Sequence, residues 1–247
     1  MSKPWVSIIG LGEDGPSGLI PAAREALDGA DLIFGGPRHL ALVAAGARGR
    51  EWPVPFSLAP LLAAKPQRVA LLASGDPFWF GAGGSLAAQL SPNEWQTFAA
   101  PSTFSLAASR LGWRIEEITC HGLHAAPFTR LRPVLHKGAR AICLLRDAQS
   151  PAELAQWLTS KGFTANLTLL EALGGPKERL RHTTAAGFDL TDIPNLTAMA
   201  VEVTSGQGLS RASGLPDDHF ASDGQITKRP IRALTLSALG PRQGETL

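Results

Sequence analysis

Ser74-Gly75-Asp76-Pro77-Phe78-Trp79-Phe80-Gly81 follows an unbroken apolar run, residues 69–73, and leads into a helix-compatible segment from about Gly83. A short apolar run closed by Gly-Asp-Pro and followed by a helix reads as a buried parallel strand passing into its crossover. The turn between them exposes backbone amides and a carboxylate at one point, where open α/β sheets hold small ligands. An ordinary strand-to-helix turn is the competing reading of the same residues. A triphosphate loop is excluded, because no Lys stands near this turn in the spacing such a loop requires.

The same texture extends on both sides. Trp5-Val6-Ser7-Ile8-Ile9 is an apolar run ended by Gly10, and residues 21–27 have helical spacing. Asp31-Leu32-Ile33-Phe34 reads as the next strand, closed by Gly35-Gly36-Pro37, with a helix over 38–45. Residues 69–73 and 95–99 supply further strands, and 83–90 and 102–111 further helices. This alternation predicts a mainly parallel sheet, since parallel neighbours need crossover helices that cover both faces.

Gly112-Trp113-Arg114 closes that unit, and residues 115–127 read as a connection to a second. There the predicted strands lie around Ala139, Ile142 and Leu145, at 167–171 and at 196–203, with an amphipathic helix over 151–160. Leu154, Trp157 and Leu158 share one face of that helix. The expectation is an α/β protein of two lobes, residues 1–112 and 113–204, with a ligand cleft between them. Residues 204–216 are rich in Gly and Ser, and 226–239 are helical in period. Residues 205–247 are therefore expected to be a linker and the truncated start of another domain, with a flexible tail as the competing reading.

Composition narrows the function. With 247 residues, 44% of them apolar, the chain has room and material for two modest cores. Its 23 basic and 21 acidic residues nearly cancel, without long blocks of one sign, which argues against nucleic acid as a partner. Cys120 and Cys143 form no CxxC and have no second pair, so neither a disulfide framework nor a metal site is expected, and a reducing cytoplasm fits. The N-terminus lacks an apolar export signal and no long uncharged apolar run occurs, so neither export nor membrane spanning is expected.

Gly10-Leu11-Gly12-Glu13-Asp14-Gly15 has the spacing of a dinucleotide fingerprint, but Pro16 stands where the helix should be running. No acidic residue closes the second strand either, since Phe34 is followed by Gly35-Gly36. A different assignment accounts for more of the chain. Ile8-Ile9-Gly10-Leu11-Gly12 with Gly15-Pro16, Gly35-Gly36-Pro37-Arg38-His39-Leu40, Ser74-Gly75-Asp76-Pro77 and Pro101-Ser102-Thr103 occur in one order. Glu171-Ala172-Leu173-Gly174-Gly175-Pro176-Lys177-Glu178-Arg179 completes the series. Across about residues 5–203 the chain resembles the tetrapyrrole methyltransferases of corrin and sirohaem synthesis. The Gly-Gly-Pro-Arg-His turn, Cys120-His121-Gly122 and the segment from Glu171 to Arg179 resemble the branch that methylates carbon 5 of precorrin-6. Residues 215–220 and 223–229 resemble the start of a partner methyltransferase that methylates carbon 15 and decarboxylates, and that is fused behind the first in aerobic pathways.

The resemblance implies two lobes of the tetrapyrrole methylase type with the active site between them, and S-adenosyl-L-methionine as donor, leaving as S-adenosylhomocysteine. It also implies a precorrin as acceptor and a homodimer. On this sequence it assigns the donor to Ser74, Gly75, Asp76 and Trp79, to Ser102 and Thr103, and to Leu145, Arg146, Leu173 and Gly174. The Ser102 hydroxyl suits a helix cap equally. The acceptor falls to Gly10, Gly12, Gly35 and Gly36, which would let a macrocycle approach the backbone, and to Arg38 and His39, which would hold its carboxylates. His121 is the candidate to take the proton lost on methylation, with a structural hydrogen bond as the alternative. Methyl transfer from a sulfonium needs alignment and exclusion of water rather than a nucleophilic side chain, and no Ser-His-Asp or Cys-His arrangement is evident. Two other readings stay open: methylation at another ring carbon or of another anionic substrate, and a module that binds precorrin without catalysing transfer.

Overall fold

The computed structural model describes residues 4–242 and 244–246. In the first lobe, β1 (Val6–Leu11) is followed by α1 (Pro21–Asp28), β2 (Leu32–Gly35) and α2 (Pro37–Leu42). β3 (Gly49–Glu51), α3 (Ala59–Leu62), β4 (Val69–Ser74), α4 (Ala82–Ala87), β5 (Trp95–Phe98) and α5 (Thr103–Leu111) complete the run. The strands form one sheet in the order β3-β2-β4-β1-β5, and every pairing is parallel. β1 is buried along its whole length, and the side chains of the two central strands alternate between two cores. Val6, Ile8, Val69 and Leu71 face Leu61 and Leu86, while Ile9, Leu11, Ala70 and Leu72 face Ala23 and Leu27 of α1. Coverage on both faces explains why these strands read as continuous apolar runs.

The strand order has a consequence for the turns. β4 lies between β2 and β1, so the carboxyl ends of all three, at Gly35, Ser74 and Leu11, are neighbours. The glycine turns that are scattered in sequence therefore meet at one edge of the sheet, at its topological switch point.

The second lobe departs from the alternating pattern. β6 (Thr119–Gly122), β7 (Arg140–Leu144), α6 (Ser150–Ser160), β8 (Thr164–Glu171), β9 (Arg179–Thr184) and β10 (Thr197–Ser205) give a sheet in the order β6-β7-β10-β8-β9. Only the β6–β7 pairing is parallel; the other three are antiparallel. β9, which the sequence reading passed over, is a polar, half-exposed edge strand that returns along β8 as a hairpin. β6 lies in what read as a connection.

Two cores sandwich this second sheet. Leu154, Ala155 and Leu158 of α6 pack on Ala141, Cys143, Leu167, Leu169, Met199 and Val201. On the opposite face Ile142, Leu170, Ala198 and Ala200 meet Phe104, Ala107 and Ala108 of α5. α5 thus follows a strand of the first sheet and packs on the second. Ser102 caps its start, accepting a bond from the Ser105 amide at 3.1 Å, and Gly112 ends it at φ +65°.

The C-terminal segment ends in α7 (Arg229–Leu239), none of whose residues is buried. Arg229 and Arg232 tie it to the carbonyls of Gly214 and Leu215, while Ile231, Leu234 and Leu239 face outward. Among the described residues no helix is long and apolar enough to cross a membrane.

Candidate active site

A cleft of about 440 Å³ opens between the lobes, within the range of small-molecule sites. Its floor is the turn after β4. Gly75 adopts φ +56°, and a Cβ there would come within 2.8 Å of the Pro101 carbonyl oxygen and 2.9 Å of Ser102 Cα. Only glycine lets the β4 turn and the start of α5 pack this closely. Asp76 Oδ1 accepts from the Phe78 amide at 2.9 Å, which folds the turn so that Trp79 and Phe80 follow. The rings of both stack towards Phe104 of α5, with centroids 4.7 and 5.9 Å from it. Phe80 has φ +58°, and Gly122 of β6 makes room for its ring, since a Cβ there would stand 2.9 Å from Phe80 Cδ1.

Above this floor, α2 starts with Pro37 in its first turn, a residue whose fixed φ suits a helix start. Arg38 pairs with Glu13 from the loop after β1. Arg38 Nη2 donates to Ser74 Oγ at 2.6 Å and lies 2.7 Å from His39 Nε2. A guanidinium has no acceptor, so Nε2 accepts, and Ser74 Oγ, 2.9 Å from it, donates there as well. The ring proton therefore sits on Nδ1, which is buried and has no partner among the described residues. These bonds join the predicted donor turn to the predicted acceptor turn.

Burial, with the Arg38 cation second, pushes the His39 imidazole down to about 4. His39 is therefore neutral near pH 7, so of the two residues expected to hold acceptor carboxylates Arg38 alone carries a charge there. The unfolded chain binds this proton near the ordinary value of 6.5. The ring therefore contributes stability that is fully present above that pH and is lost as pH falls towards 4. The expected NMR titration midpoint of the His39 ring is near 4, and a midpoint at about 6 or above would show a solvated ring instead.

The structure brings Gly12, Gly36, Arg38, His39, Ser74, Gly75, Trp79, Ser102, Thr103, Leu145 and Leu173 together in the lining of the cleft. Ser102 caps α5 and lines the cleft at once. The other predicted residues lie outside that lining. A Cβ on Gly10 would meet the backbone of Ala100 at 2.6 Å, so its glycine serves strand packing rather than a macrocycle. Gly35 likewise packs against His39 and Leu72. Asp76 is engaged in its own turn. Arg146 points to Asp147 at 2.8 Å, and Asp147 in turn accepts from the Ser150 amide at the start of α6. Gly174 donates its amide to Glu178 at 2.6 Å.

His121 pairs in register with Cys143, whose side chain lies in the core under α6, and directly paired residues of a parallel ladder share a sheet face. It stands on the side away from the cleft, where burial lowers its pKa. His124, two residues past β6, lines the cleft instead. Burial raises the Cys120 thiol to about 11 and the Cys143 thiol further, so neither is a poised nucleophile. Among the described residues no group of His, Cys, Asp and Glu has the makings of a metal site.

Sequence reasoning missed Glu13, Trp52 and residues 195–198, all of which line the cleft. Trp52 packs between Phe34 and Phe56, at centroid distances of 5.6 and 5.2 Å. Asn195, Leu196 and Thr197 arrive at the start of β10, a position fixed by the antiparallel order of the second sheet.

The family model for tetrapyrrole (corrin/porphyrin) methylases matches residues 6–189, and a precorrin methyltransferase domain model matches residues 218–247. Precorrin-6Y C(5,15)-methyltransferase [decarboxylating] of a Sinorhizobium species is 45% identical over 253 residues, which cover 99% of this chain and 61% of the relative. The chain therefore spans less than two thirds of that protein. Cobalt-precorrin-7 C(5)-methyltransferase of Salmonella typhimurium is 27% identical over 71% of this chain and 88% of its own length. Among solved structures, the cobalamin biosynthesis precorrin-6Y methylase of Archaeoglobus fulgidus superposes with a TM-score of 0.59 at 25% identity, covering 80% of this chain and 97% of that one.

Proposed function

The chain belongs to the tetrapyrrole methylase family, and from that premise we propose that it transfers a methyl group from S-adenosylmethionine to carbon 5 of a precorrin-6 intermediate in cobalamin biosynthesis. The observation that carries the reading is one cleft in which Ser74, Gly75 and Trp79, the start of α5 and the Gly36-Arg38-His39 turn face Leu145, Leu173 and residues 195–198. Polar groups such as Arg38, Ser74 and Thr103 and apolar ones such as Trp79, Leu145 and Leu173 share the lining, as an amphipathic donor requires.

The donor set fits such a molecule: the hydroxyls of Ser74, Ser102 and Thr103, beside the side-chain-free Gly75, suit an amino acid moiety, and Leu145, Leu173 and Leu196 suit a flat purine. When bound, S-adenosylmethionine would supply a methyl carbon, the acceptor carbon's electron pair forming the new bond as the bond to sulfur breaks and its pair stays on sulfur. The residues of the chain align and exclude water. Trp79, Phe80 and Phe104 form the dry floor. Arg38 offers an acceptor carboxylate a partly buried cation, for which Glu13 now competes. His39 stays neutral beside it and fixes the Ser74 hydroxyl. His121 has no part in this proposal, given its face of the sheet.

The proposal includes residues 205–247 as a linker and the start of a fused partner domain, supported by the model match at 218–247. It includes a homodimer in the cytoplasm. Titration calorimetry with S-adenosylhomocysteine should give saturable binding, and incubation with methyl-labelled donor and the precorrin should place the label at carbon 5 by NMR. Label at carbon 11, 17 or 20 would defeat the regiochemistry. Absence of any interaction with S-adenosylhomocysteine would favour a binding module that does not catalyse transfer.

A further inference from the structure

Residues 172–178 join β8 to β9 and carry Ala172 and Leu173 into the cleft. One residue among them holds a conformation the chain does not favour by itself: Ala172 has φ +45°, while Gly174, at φ +81°, adopts the same region without cost. Backbone bonds within the loop, Gly175 amide to Ala172 carbonyl and Glu178 amide to Gly175 carbonyl, shape the turn, and the Ala172 amide ties its start to the Leu196 carbonyl at 3.4 Å. A side chain ties its far end to α5. Glu178 Oε2 accepts from the Gly174 amide at 2.6 Å and from Arg110 Nη2 at 3.1 Å, while Oε1 accepts from Arg110 Nε at 2.5 Å.

Arg110 belongs to α5, the helix whose first turn, at Ser102 and Thr103, forms the opposite side of the cleft. Leu106, one turn before Arg110, lines the cleft as well and lies against Gly174, where a Cβ would approach Leu106 Cδ1 at 3.2 Å. The contact is thus closed at two levels, apolar at Leu106 and ionic at Arg110. We propose that Glu178 is a positioning residue for the donor, latching the Ala172–Leu173 wall to α5 so that both sides of the donor pocket hold one spacing. The inference rests on the donor reading above.

A solvent-facing ion pair by itself adds little to stability. The side chains of Arg110 and Glu178 are 39% and 20% exposed, so removal of the latch should show in donor binding far more than in melting. In the full 247-residue chain, Glu178→Ala, which removes all three of these charge-assisted bonds, is expected to weaken S-adenosylhomocysteine binding about tenfold through the slackened wall. Arg110→Gln should weaken it less. The double variant should be no weaker than Glu178→Ala, because both act on one contact. Glu178→Gln, which keeps an acceptor for the Gly174 amide, should recover part of the loss. In turnover, KM for the donor should rise while kcat and KM for the acceptor stay near wild type.

Glu178→Ala binding the product as wild type does would overturn the latch. So would a loss of affinity matched by an equal rise in acceptor KM, or additive losses in the double variant. If Glu178→Ala fails to fold, Arg110→Gln carries the same comparison. Wild-type protein that does not bind S-adenosylhomocysteine would instead remove the donor reading, and the latch with it.

Discussion

Glu171→Ala should lower the unfolding free energy by about 3 kcal/mol, the low end of what removal of one partner from a buried ion pair costs. For a chain of this size that is a fall in Tm of roughly 6–12 °C. Glu171, 1% exposed at the end of β8, holds two guanidiniums. Arg179 donates to it at 2.6 and 3.1 Å and Arg181 at 3.2 and 2.7 Å. Both arginines also reach across the sheet edge, Arg179 to the Asp192 carbonyl and Arg181 to the Thr191 carbonyl, each at 2.7 Å. Removal of the carboxylate leaves two partly buried cations facing each other. The low end applies because Arg179, 42% exposed, can turn to water. Since residues 191–192 lead into the wall at Asn195 and Leu196, donor affinity should fall along with stability. Urea denaturation measures the first quantity, and a loss below about 1 kcal/mol would mean that the cluster is solvated in practice.

Gly75→Ala should have the largest effect on the donor. The left-handed backbone costs a non-glycine residue on the order of 1–2 kcal/mol. The new Cβ would in addition meet the Pro101 carbonyl and Ser102 Cα, both backbone atoms that cannot rotate aside. Relief requires the β4 turn and the start of α5 to move apart, and these carry Ser74, Ser102 and Thr103. The expected outcome is a loss of S-adenosylhomocysteine affinity of roughly a hundredfold, equivalent to about 2.7 kcal/mol, with the fold retained by circular dichroism. Affinity within about threefold of wild type would place the donor away from this turn.

The first lobe was legible because its physics is local. Buried parallel strands write themselves as apolar runs, and Gly35, Gly75 and Gly112 mark where each ends or a helix stops. The second was legible only in part, since an antiparallel edge such as β9, with Arg179, Arg181 and His182, has the composition of a surface loop. At the site, residues next to glycine turns were found, because a turn beside a strand end shows in sequence. Trp52 and Asn195 were not, as their places depend on strand order and on loops that return from far along the chain. Resemblance placed Arg146 and His121 at the site; the ion pair with Asp147 and the register with Cys143 put their side chains elsewhere. Glu13 has no local signal in the sequence, because its partner Arg38 is 25 residues away.

α5 gives the molecule a property that neither sheet has alone. Its Phe104, Ala107 and Ala108 complete the hydrophobic interior of a sheet whose strands have not yet been made when the helix emerges. A gene cut after Gly112 would strand an oily helix on one fragment and bare the matching surface on the other. Recombination among relatives should therefore exchange the pair of lobes whole.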